Sequence, residues 1–265
     1  MSSPSPDPEV RTAIVTGASS GLGVAMAEAL GRTGFRVAVG ARRKDRLEET
    51  AQKVRSAGGK CLAHVLDVAQ ADSIEAFFSA VEEEFGVADI VVNNAGLSHP
   101  APVHELELER VRQELDVNLL GAVMVSRRFL QPLLDAGSRG DLIHITSDAA
   151  RYPRPHQSIY TATKAALEAF SSTLALELEG TGIRSTVVRP GPAISEYAAS
   201  WDPKKIESLV HRWQYYGLQR HSGVMPSEAV AQAVMAAIQT PRGVRLDLIE
   251  VQPEATHGSP QDPPR

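Results

Sequence analysis

Short apolar runs rich in β-branched residues alternate with longer amphipathic segments along most of this chain. Runs such as Ile90–Asn93 and Asp141–Thr146 carry apolar residues on both faces, as parallel strands buried on both sides do. Parallel strands must be joined by crossovers, which are usually helices. The alternation therefore predicts an α/β fold, a doubly wound, seven-stranded parallel sheet with helices on both faces.

Seven segments are predicted as strands and six as long helices. The strands are Thr12–Thr16, Arg36–Ala41, Cys61–Leu66, Ile90–Asn93, Asp141–Thr146, Arg184–Arg189 and Val244–Val251. The helices are Gly21–Thr33, Lys44–Ala57, Ala71–Phe85, Leu106–Leu134, Ser158–Glu179 and Ser227–Gln239. A long insertion, Pro190–Pro226, contains a short helical candidate, Pro203–Tyr216. Insertions of this length in compact folds are usually functional.

Composition excludes several classes of protein. A length of 265 residues suits one domain, and a net charge of −5 argues against nucleic acid or anionic membrane as partner. The single cysteine, Cys61, fits a reducing compartment, and eight scattered histidines give no metal-ligand spacing. No apolar run is long enough to span a membrane. We expect a cytoplasmic domain over residues 10–251, a substrate lid over 191–226, and disordered proline-rich tails at 1–9 and 252–265.

The first strand runs directly into the glycine-rich segment TGASSGLG, which opens a helix. Glycines in this position allow a sharp turn, close approach of the backbone to a pyrophosphate, and close packing of helix on strand. The helix N-terminus adds free N–H groups. A glycine-rich loop without a ligand is the alternative, but the strand, turn, helix, strand order favours a dinucleotide site. The residues expected to contact the cofactor are Gly17, Ser19, Ser20, Gly21, Leu22 and Gly23.

The second strand ends at an arginine pair, Arg42 and Arg43, where an NAD site would have an acidic residue for the ribose. Guanidinium groups make bidentate, charge-assisted contacts with phosphate oxygens. The pair therefore predicts NADP(H) rather than NAD(H). The alternative is a solvated helix start, because both arginines belong to the charged cluster RRKDR.

Tyr160 and Lys164 are four residues apart in a helical pattern, so their side chains share one face. An ammonium beside a phenol is expected to lower the pKa of the phenol from about 10. The tyrosine can then act as an acid or a base. Ser147 follows the fifth strand, and strand carboxyl ends are where open α/β sheets bind ligands.

In their order and approximate spacing, these segments resemble the short-chain dehydrogenase/reductase (SDR) family over approximately residues 10–250. The motifs are TGASSGLG, Asn93-Asn94-Ala95-Gly96, Asn118, Ser147, Tyr160-x-x-x-Lys164 and Pro190-Gly191. The resemblance implies a single-domain Rossmann fold and hydride transfer between a nicotinamide and a small carbonyl or alcohol substrate. It also implies a homodimer or homotetramer built by the long helices.

The resemblance further implies roles for single residues. Tyr160 would be the general acid or base, Lys164 would hold the nicotinamide ribose, and Ser147 would hydrogen-bond the substrate oxygen. Asn118 would hold a water of a proton relay; alternatively its amide is satisfied by nearby backbone. Further cofactor contacts are implied for Asp67, Val68, Asn94, Ala95, Gly96, Pro190, Gly191 and Ser195, which stands where a threonine is common. Alternatively, the role of Asn94 is purely structural.

Aromatic residues are concentrated in the long insertion, at Tyr197, Trp201, Trp213, Tyr215 and Tyr216. They either roof an apolar pocket over the nicotinamide or pack the lid against the body or a second subunit. The predicted substrate contacts are His99, Ala149, Tyr197, Trp201 and Trp213. Alternatively, His99 is a loop histidine that is exposed to solvent and contacts no substrate. Asp148, directly after Ser147, either tunes the site electrostatically or faces away.

The sequence leaves two other functions open. One is an NADP-binding sensor or scaffold without turnover, against which the presence of all four implied catalytic residues argues. The other is an epimerase or dehydratase built on the same fold. The lack of a large C-terminal substrate domain in 265 residues argues against that second function.

Overall fold

A computed structural model describes residues 10–198, 201, 203–219, 221 and 223–255. The strands are β1 Thr12–Thr16, β2 Arg36–Ala41, β3 Lys60–Val65, β4 Ile90–Asn93, β5 Gly140–Ile145, β6 Ile183–Pro190 and β7 Leu248–Val251. The α-helices are α1 Gly21–Arg32, α2 Lys44–Ser56, α3 Ala71–Phe85, α4 Leu108–Leu115, α5 Gly121–Asp135, α6 Ser158–Glu177, α7 Pro203–Tyr215 and α8 Ser227–Gln239. Of the two predicted tails, only residues 252–255 lie within the described residues. No helix in the described ranges has the length and apolar character that a membrane crossing requires.

The strands form one parallel sheet in the order β3-β2-β1-β4-β5-β6-β7. This confirms the predicted seven-stranded, doubly wound sheet. The chain winds outward from β1 through β2 to β3 and then returns to place β4 on the other side of β1. A reversal of this kind leaves a crevice at the carboxyl ends of the two central strands, and ligands bind there in open α/β sheets.

Alternate residues of the central strands enter two separate cores, one on each face of the sheet. On β1, Ala13 and Val15 pack with α1, α2 and α8, whereas Ile14 packs with Phe77 of α3 and Phe129 of α5. A strand with a residue period of two must be apolar throughout when both faces are covered. This explains why β1, β2, β4 and β5 read as continuous apolar runs.

Most predicted elements agree with those observed to within two residues, but two differ more. The last strand begins at Leu248 rather than at Val244, because only Leu248–Val251 pairs with β6 and the carbonyl of Val244 accepts from Arg184 Nη1 at 2.9 Å. The single helix predicted over Leu106–Leu134 is divided into α4 and α5 by a π-helical turn, Asp116–Leu120. Such turns are rare and frequently lie at functional sites. Asn118 lies within this one and is completely buried.

His144, the second-last residue of β5, is a fully buried titratable group. Its ring lies edge-on to Phe170 at 5.7 Å and its Nδ1 is 3.4 Å from Asn93 Nδ2. Burial lowers the pKa of His144 from 6.5 to about 3, so the folded protein binds fewer protons than the unfolded chain between these values.

We expect the free energy of unfolding to fall as the pH drops from about 6.5 towards 3, with His144 contributing up to about 1.4 kcal/mol per pH unit. His144→Phe retains a ring but cannot titrate, so its stability should fall less steeply. Urea unfolding of both proteins across this range measures the two slopes. Equal slopes would show that His144 is not a source of the acid sensitivity.

Candidate active site

A cavity of about 710 Å³ lies at the carboxyl edge of the sheet, lined by segments that follow β1 to β6. It brings together nearly all of the predicted site residues. The exceptions are Gly23, Asn118 and Ala149, which do not line it. The part near β1 and β2 contains the glycine turn and the arginine pair, and the part near β5 and α6 contains Ser147, Tyr160 and Lys164.

The glycine turn is shaped by two positions where a side chain would not fit. Gly17 has a φ of +66°, and a Cβ there would lie 2.8 Å from the Cα of Ala95. A Cβ on Gly23 would lie 2.5 Å from the carbonyl oxygen of Gly17, so Gly23 serves packing beneath the turn. Among the described residues no side chain caps the first turn of α1. Its N–H groups are therefore available to a phosphate, and this cradle fits a dinucleotide.

Asn94 ties the end of β4 to this turn. Its Nδ2 donates to the carbonyl oxygens of Thr16, at 2.9 Å, and Gly17, at 3.2 Å. Thr16 Oγ1 accepts in return from the backbone N–H groups of Asn94 and Ala95. Asn94 lines the cavity and its Nδ2 is used structurally, while its contact with a cofactor stays a prediction.

Arg43 lies at the mouth of the cavity and contacts both the glycine turn and the lid. Its Nη2 donates to Ser20 Oγ at 2.8 Å and to Ser19 Oγ at 3.0 Å. Its Nη1 pairs with Glu196 Oε2 at 3.1 Å. A guanidinium held beside the turn fits the predicted place of a ribose phosphate. Glu196 was not predicted, because only the fold of the lid brings it next to Arg43.

Tyr160 and Lys164 are both buried on one face of α6, with exposures of 8 % and 4 %. Lys164 Nζ donates to the carbonyl oxygen of Ile145 at 2.9 Å and lies 5.7 Å from the centre of the Tyr160 ring. Ser147 follows β5, and its Oγ accepts from the backbone N–H of Ala149 at 3.2 Å. The end of β5 and the start of α6 therefore hold the three predicted catalytic side chains at one point of the cavity.

The electrostatics of this centre differ from the expectation based on the Tyr160 and Lys164 spacing. Burial raises the pKa of Tyr160, although hydrogen bonding to Ser147 and Tyr197 opposes the rise. Burial also lowers the pKa of Lys164 to about 8, and its amine is directed to the backbone of β5. The expected lowering of the Tyr160 pKa is thus wrong for this structure. A tyrosine that keeps its proton suits the acid role in carbonyl reduction.

Asn118 is held by backbone rather than exposed to the cavity. Its Oδ1 accepts from Leu97 N at 2.8 Å, and its Nδ2 donates to Leu97 O at 2.8 Å and to Thr163 Oγ1 at 3.2 Å. The amide is thus satisfied by the backbone of Leu97 and by Thr163, and a relay water held by Asn118 stays a prediction. Asn118 therefore fixes the loop after β4 against α6, close to Tyr160 and Lys164.

Three of the five lid aromatics face the cavity. The ring of Tyr197 lies 5.1 Å from those of Tyr160 and Trp201. The indole N–H groups of Trp201 and Trp213 donate to backbone carbonyls outside the lid, of Ser98 and Pro155. Tyr215 and Tyr216 are 84 % and 57 % exposed and do not line the cavity. Among the described lid residues, Tyr197, Trp201 and Trp213 are therefore the aromatic side chains that line the cavity beside the predicted catalytic residues.

Of the two remaining predicted substrate contacts, Ala149 and His99, only His99 lines the cavity. The prediction that Ala149 contacts the substrate is corrected, because its side chain is buried in the 3₁₀ turn after Ser147 and does not line the cavity. His99 does line it, and its backbone N–H donates to the buried carboxylate of Glu114 at 2.5 Å. Burial raises the pKa of Glu114 to about 7 and lowers that of His99.

Three residues of this part of the site were not predicted singly: Arg154 and Gln157 line the cavity, and Glu114 lies behind His99. Gln157 Nε2 donates to the Tyr197 hydroxyl at 2.9 Å, which fixes that ring from below the lid. Glu114 precedes Asn118 by four residues, so helical spacing could have suggested it. Arg154 lies in the segment Ala149–His156, which was predicted as a pocket wall only because it follows the fifth strand, and no sequence signal marks Gln157.

The parallel sheet reverses its strand order beside a glycine turn. This is the architecture of a Rossmann-type, dinucleotide-binding protein. Comparison with known families agrees and is more specific. The model described as short chain dehydrogenase matches residues 11–206. The chain belongs to the short-chain dehydrogenase/reductase family.

Individual relatives support this membership. A short chain dehydrogenase of Pseudocercospora fijiensis is 38 % identical over 194 residues, which cover 72 % of this chain and 62 % of the relative. An alcohol dehydrogenase of the archaeon Thermococcus sibiricus, solved with 5-hydroxy-NADP, superposes with a TM-score of 0.78 at 32 % identity over 96 % of this chain and 100 % of the neighbour. A serine dehydrogenase solved with NADP+ gives a TM-score of 0.81 at 27 % identity, with coverages of 96 % and 100 %.

The chain spans only part of the first curated relatives that it matches. The matched segments cover 19 % of a glycine betaine reductase of Emericella nidulans and 41 % of a probable oxidoreductase of Mycobacterium bovis. The activities of such longer proteins do not transfer to this chain with the family.

Proposed function

We propose that this protein is an NADP(H)-dependent oxidoreductase that interconverts a carbonyl group and a secondary alcohol on a small, largely apolar molecule. The observation that carries this proposal is the convergence of Ser147, Tyr160 and Lys164 at the end of β5, in the same cavity as the glycine turn and Arg43. The site thus combines an acid and base centre with a cradle for a phosphorylated dinucleotide.

The cofactor assignment rests on the fit of the residues and on the solved neighbours. Gly17 and Gly21 of the turn line the cavity where a pyrophosphate would lie, the first N–H groups of α1 are uncapped there, and Arg43 suits the 2′-phosphate. Asp67 and Val68 would contact the adenine, and Ser195 would reach the nicotinamide end. Two neighbours with more than a quarter of identical residues were solved with NADP or its derivative.

Chemically, NADPH when bound supplies a hydride to the carbonyl carbon. Tyr160 donates its phenolic proton to the carbonyl oxygen, and in the reverse direction it accepts the proton of the alcohol. Ser147 hydrogen-bonds the same oxygen and so orients the reacting carbon. Lys164 lies beside Tyr160 and would hold the nicotinamide ribose. The aromatic roof of Tyr197, Trp201 and Trp213 would exclude water during the transfer.

The surroundings of the site support further parts of the proposal. Ile206 and Val210 of α7 add an apolar wall beside the aromatic roof, which favours an apolar substrate.

Three leucines on the surface of α4 and α6 are exposed: Leu108 and Leu115 of α4, at 62 % and 42 %, and Leu176 of α6. These helices would form the contacts of a homodimer or homotetramer, which sedimentation would measure. The single thiol fits a cytoplasmic location.

The decisive test of the proposed function is NADPH oxidation by the purified protein with a panel of ketones, aldehydes, steroids, quinones and sugars. We expect carbonyl-dependent oxidation with at least one apolar compound. Tight NADPH binding with no turnover on any of them would instead favour a sensor or scaffold.

The cofactor preference has its own test. Arg43→Leu should weaken NADPH binding by about 10-fold to 100-fold, since a charged hydrogen bond contributes about 1.5–3 kcal/mol, and should leave NADH binding nearly unchanged. Fluorescence titration of both cofactors measures this.

Arg46→Leu is the matched control. Arg46 lies near Glu49 and Glu196 at 3.6 and 3.9 Å but does not line the cavity. Its loss should leave the ratio of the two affinities unchanged. Tighter binding of NADH than of NADPH by the unmodified protein would overturn the assignment.

A further inference from the structure

A buried ion pair lies beside the proposed catalytic serine. Asp148 is 5 % exposed, and its Oδ2 accepts from Arg154 Nη2 at 2.5 Å. Its other oxygen, Oδ1, accepts from Ser147 Oγ at 3.3 Å. Both charged residues line the cavity. The pair therefore reaches the hydroxyl group that the proposed reaction uses.

The Ser147 hydroxyl is oriented by its two neighbours in the chain. Its oxygen accepts from the N–H of Ala149, and it lies 3.3 Å from Asp148 Oδ1, to which it can donate its hydrogen. A hydroxyl has one hydrogen to donate, so a substrate oxygen or the Tyr160 oxygen can receive it only in competition with Asp148. Because the contact is long, at 3.3 Å, little free energy is lost when the Ser147 hydroxyl donates to another oxygen instead of Asp148.

The lid covers the ion pair. The guanidinium carbon of Arg154 lies 5.0 Å from the centre of the Trp213 ring, a cation–π contact. Trp213 belongs to α7 and is itself held by its bond to Pro155 O, at 3.2 Å. Charges shielded from water in this way act more strongly on their neighbours than exposed charges do.

We infer that Asp148 and Arg154 are positioning residues of the centre whose function is proposed above, on which this inference rests. Asp148 holds the hydroxyl hydrogen of Ser147 until a substrate oxygen or the Tyr160 oxygen takes it. Arg154 balances the charge of Asp148 next to the reacting group, and the covering lid keeps both in place.

The two charges act on Tyr160 with opposite signs. The charge of Asp148 raises the pKa of Tyr160 and that of Arg154 lowers it, while burial is the largest cause of the raised value. The other groups that face Tyr160 are Ser147 and Tyr197, which lower its pKa by hydrogen bonding, and Lys164 on its own helix. His144 lies near Lys164 and stays uncharged, because its pKa is about 3. Removing one member of the pair must therefore move the titration of Tyr160 in a direction set by which member is lost.

The test is a titration of the Tyr160 phenol by its ultraviolet absorbance. Each protein is compared with the same protein carrying Tyr160→Phe, so that the difference reports this residue alone. Asp148→Asn should move the midpoint to lower pH and Arg154→Gln to higher pH, each by about half to one pH unit. The double variant should return close to the unmodified protein, because both charges are gone.

Arg151→Gln is the matched control. Arg151 lies in the same loop but pairs with Glu250 of β7 at 3.0 Å and does not line the cavity. Its loss should leave the midpoint in place. Midpoints that stay fixed in both single variants, or that move in the same direction, would overturn the inference.

Two further measurements separate the possible failures. If Arg154→Gln does not fold, because it leaves a buried carboxylate unpaired, Asp148→Asn and the double variant still test the sign and its reversal. The titration needs no turnover, so a protein that shows these shifts without oxidising any alcohol would contradict the proposed function and not the pairing. With turnover, the acid limb of kcat/KM for alcohol oxidation should move with the titration.

Discussion

Tyr160→Phe is expected to lower kcat for carbonyl reduction by about 10²–10⁴-fold, the usual contribution of a positioned general acid. The phenyl ring keeps the packing against Tyr197 at 5.1 Å, and only the proton donor is lost. NADPH affinity, measured by fluorescence titration, should therefore change little. Turnover that survives the substitution would refute the mechanism.

Tyr197→Phe is the matched control for this experiment. It removes a second buried hydroxyl from the same aromatic contact, along with the bond that Gln157 donates to it. Because Tyr197 has no proton to supply in the proposed reaction, its loss should cost less than about 10-fold, the effect of one ordinary hydrogen bond. Equal losses in the two variants would mean that the pair acts through packing.

Lys164→Met should separate activity from stability. Loss of the amine that holds the nicotinamide ribose should lower kcat/KM by about 10²–10³-fold, as for other lost polar contacts in active sites. At neutral pH the same variant should be more stable by about 1–2 kcal/mol, since the cost of burying an ammonium exceeds its one bond to Ile145 O. Denaturant unfolding and steady-state kinetics measure the two effects.

The stability difference should depend on pH with a definite sign. The pKa of Lys164 is about 8 in the folded protein against 10.5 ordinarily, so folding releases its proton between these values. The unmodified protein gains stability as the pH rises through this window, and the advantage of the methionine variant shrinks. An advantage that does not change with pH would contradict a buried, titrating amine. Lys53→Met, at an exposed position of α2, should alter neither quantity.

The sheet and the catalytic trio could be predicted because their signals are local. Buried parallel strands such as β4 must be apolar on both faces, and Tyr160 and Lys164 share a helix face by spacing alone. Ser147 could be placed because strand ends converge at one edge of the sheet.

The features that were missed depend on contacts between distant segments or on local geometry without a composition signal. The π-helical turn at Asn118 leaves the apolar pattern of the surrounding helix intact, so the segment reads as one continuous helix. Ala149 was misplaced because the short turn capped by Ser147 directs its side chain into the protein. Arg154 meets Trp213 only because α7 folds back over the loop.

The ion pair between Arg43 and Glu196 links the proposed binding site of the cofactor phosphate to the lid. Glu196 belongs to the lid segment, and Arg43 is the guanidinium proposed for the cofactor phosphate. A phosphate that binds Arg43 Nη1 would compete with the Glu196 carboxylate for that group. Through this one contact, binding of the cofactor phosphate and attachment of Glu196 to Arg43 would weaken each other by the same free energy.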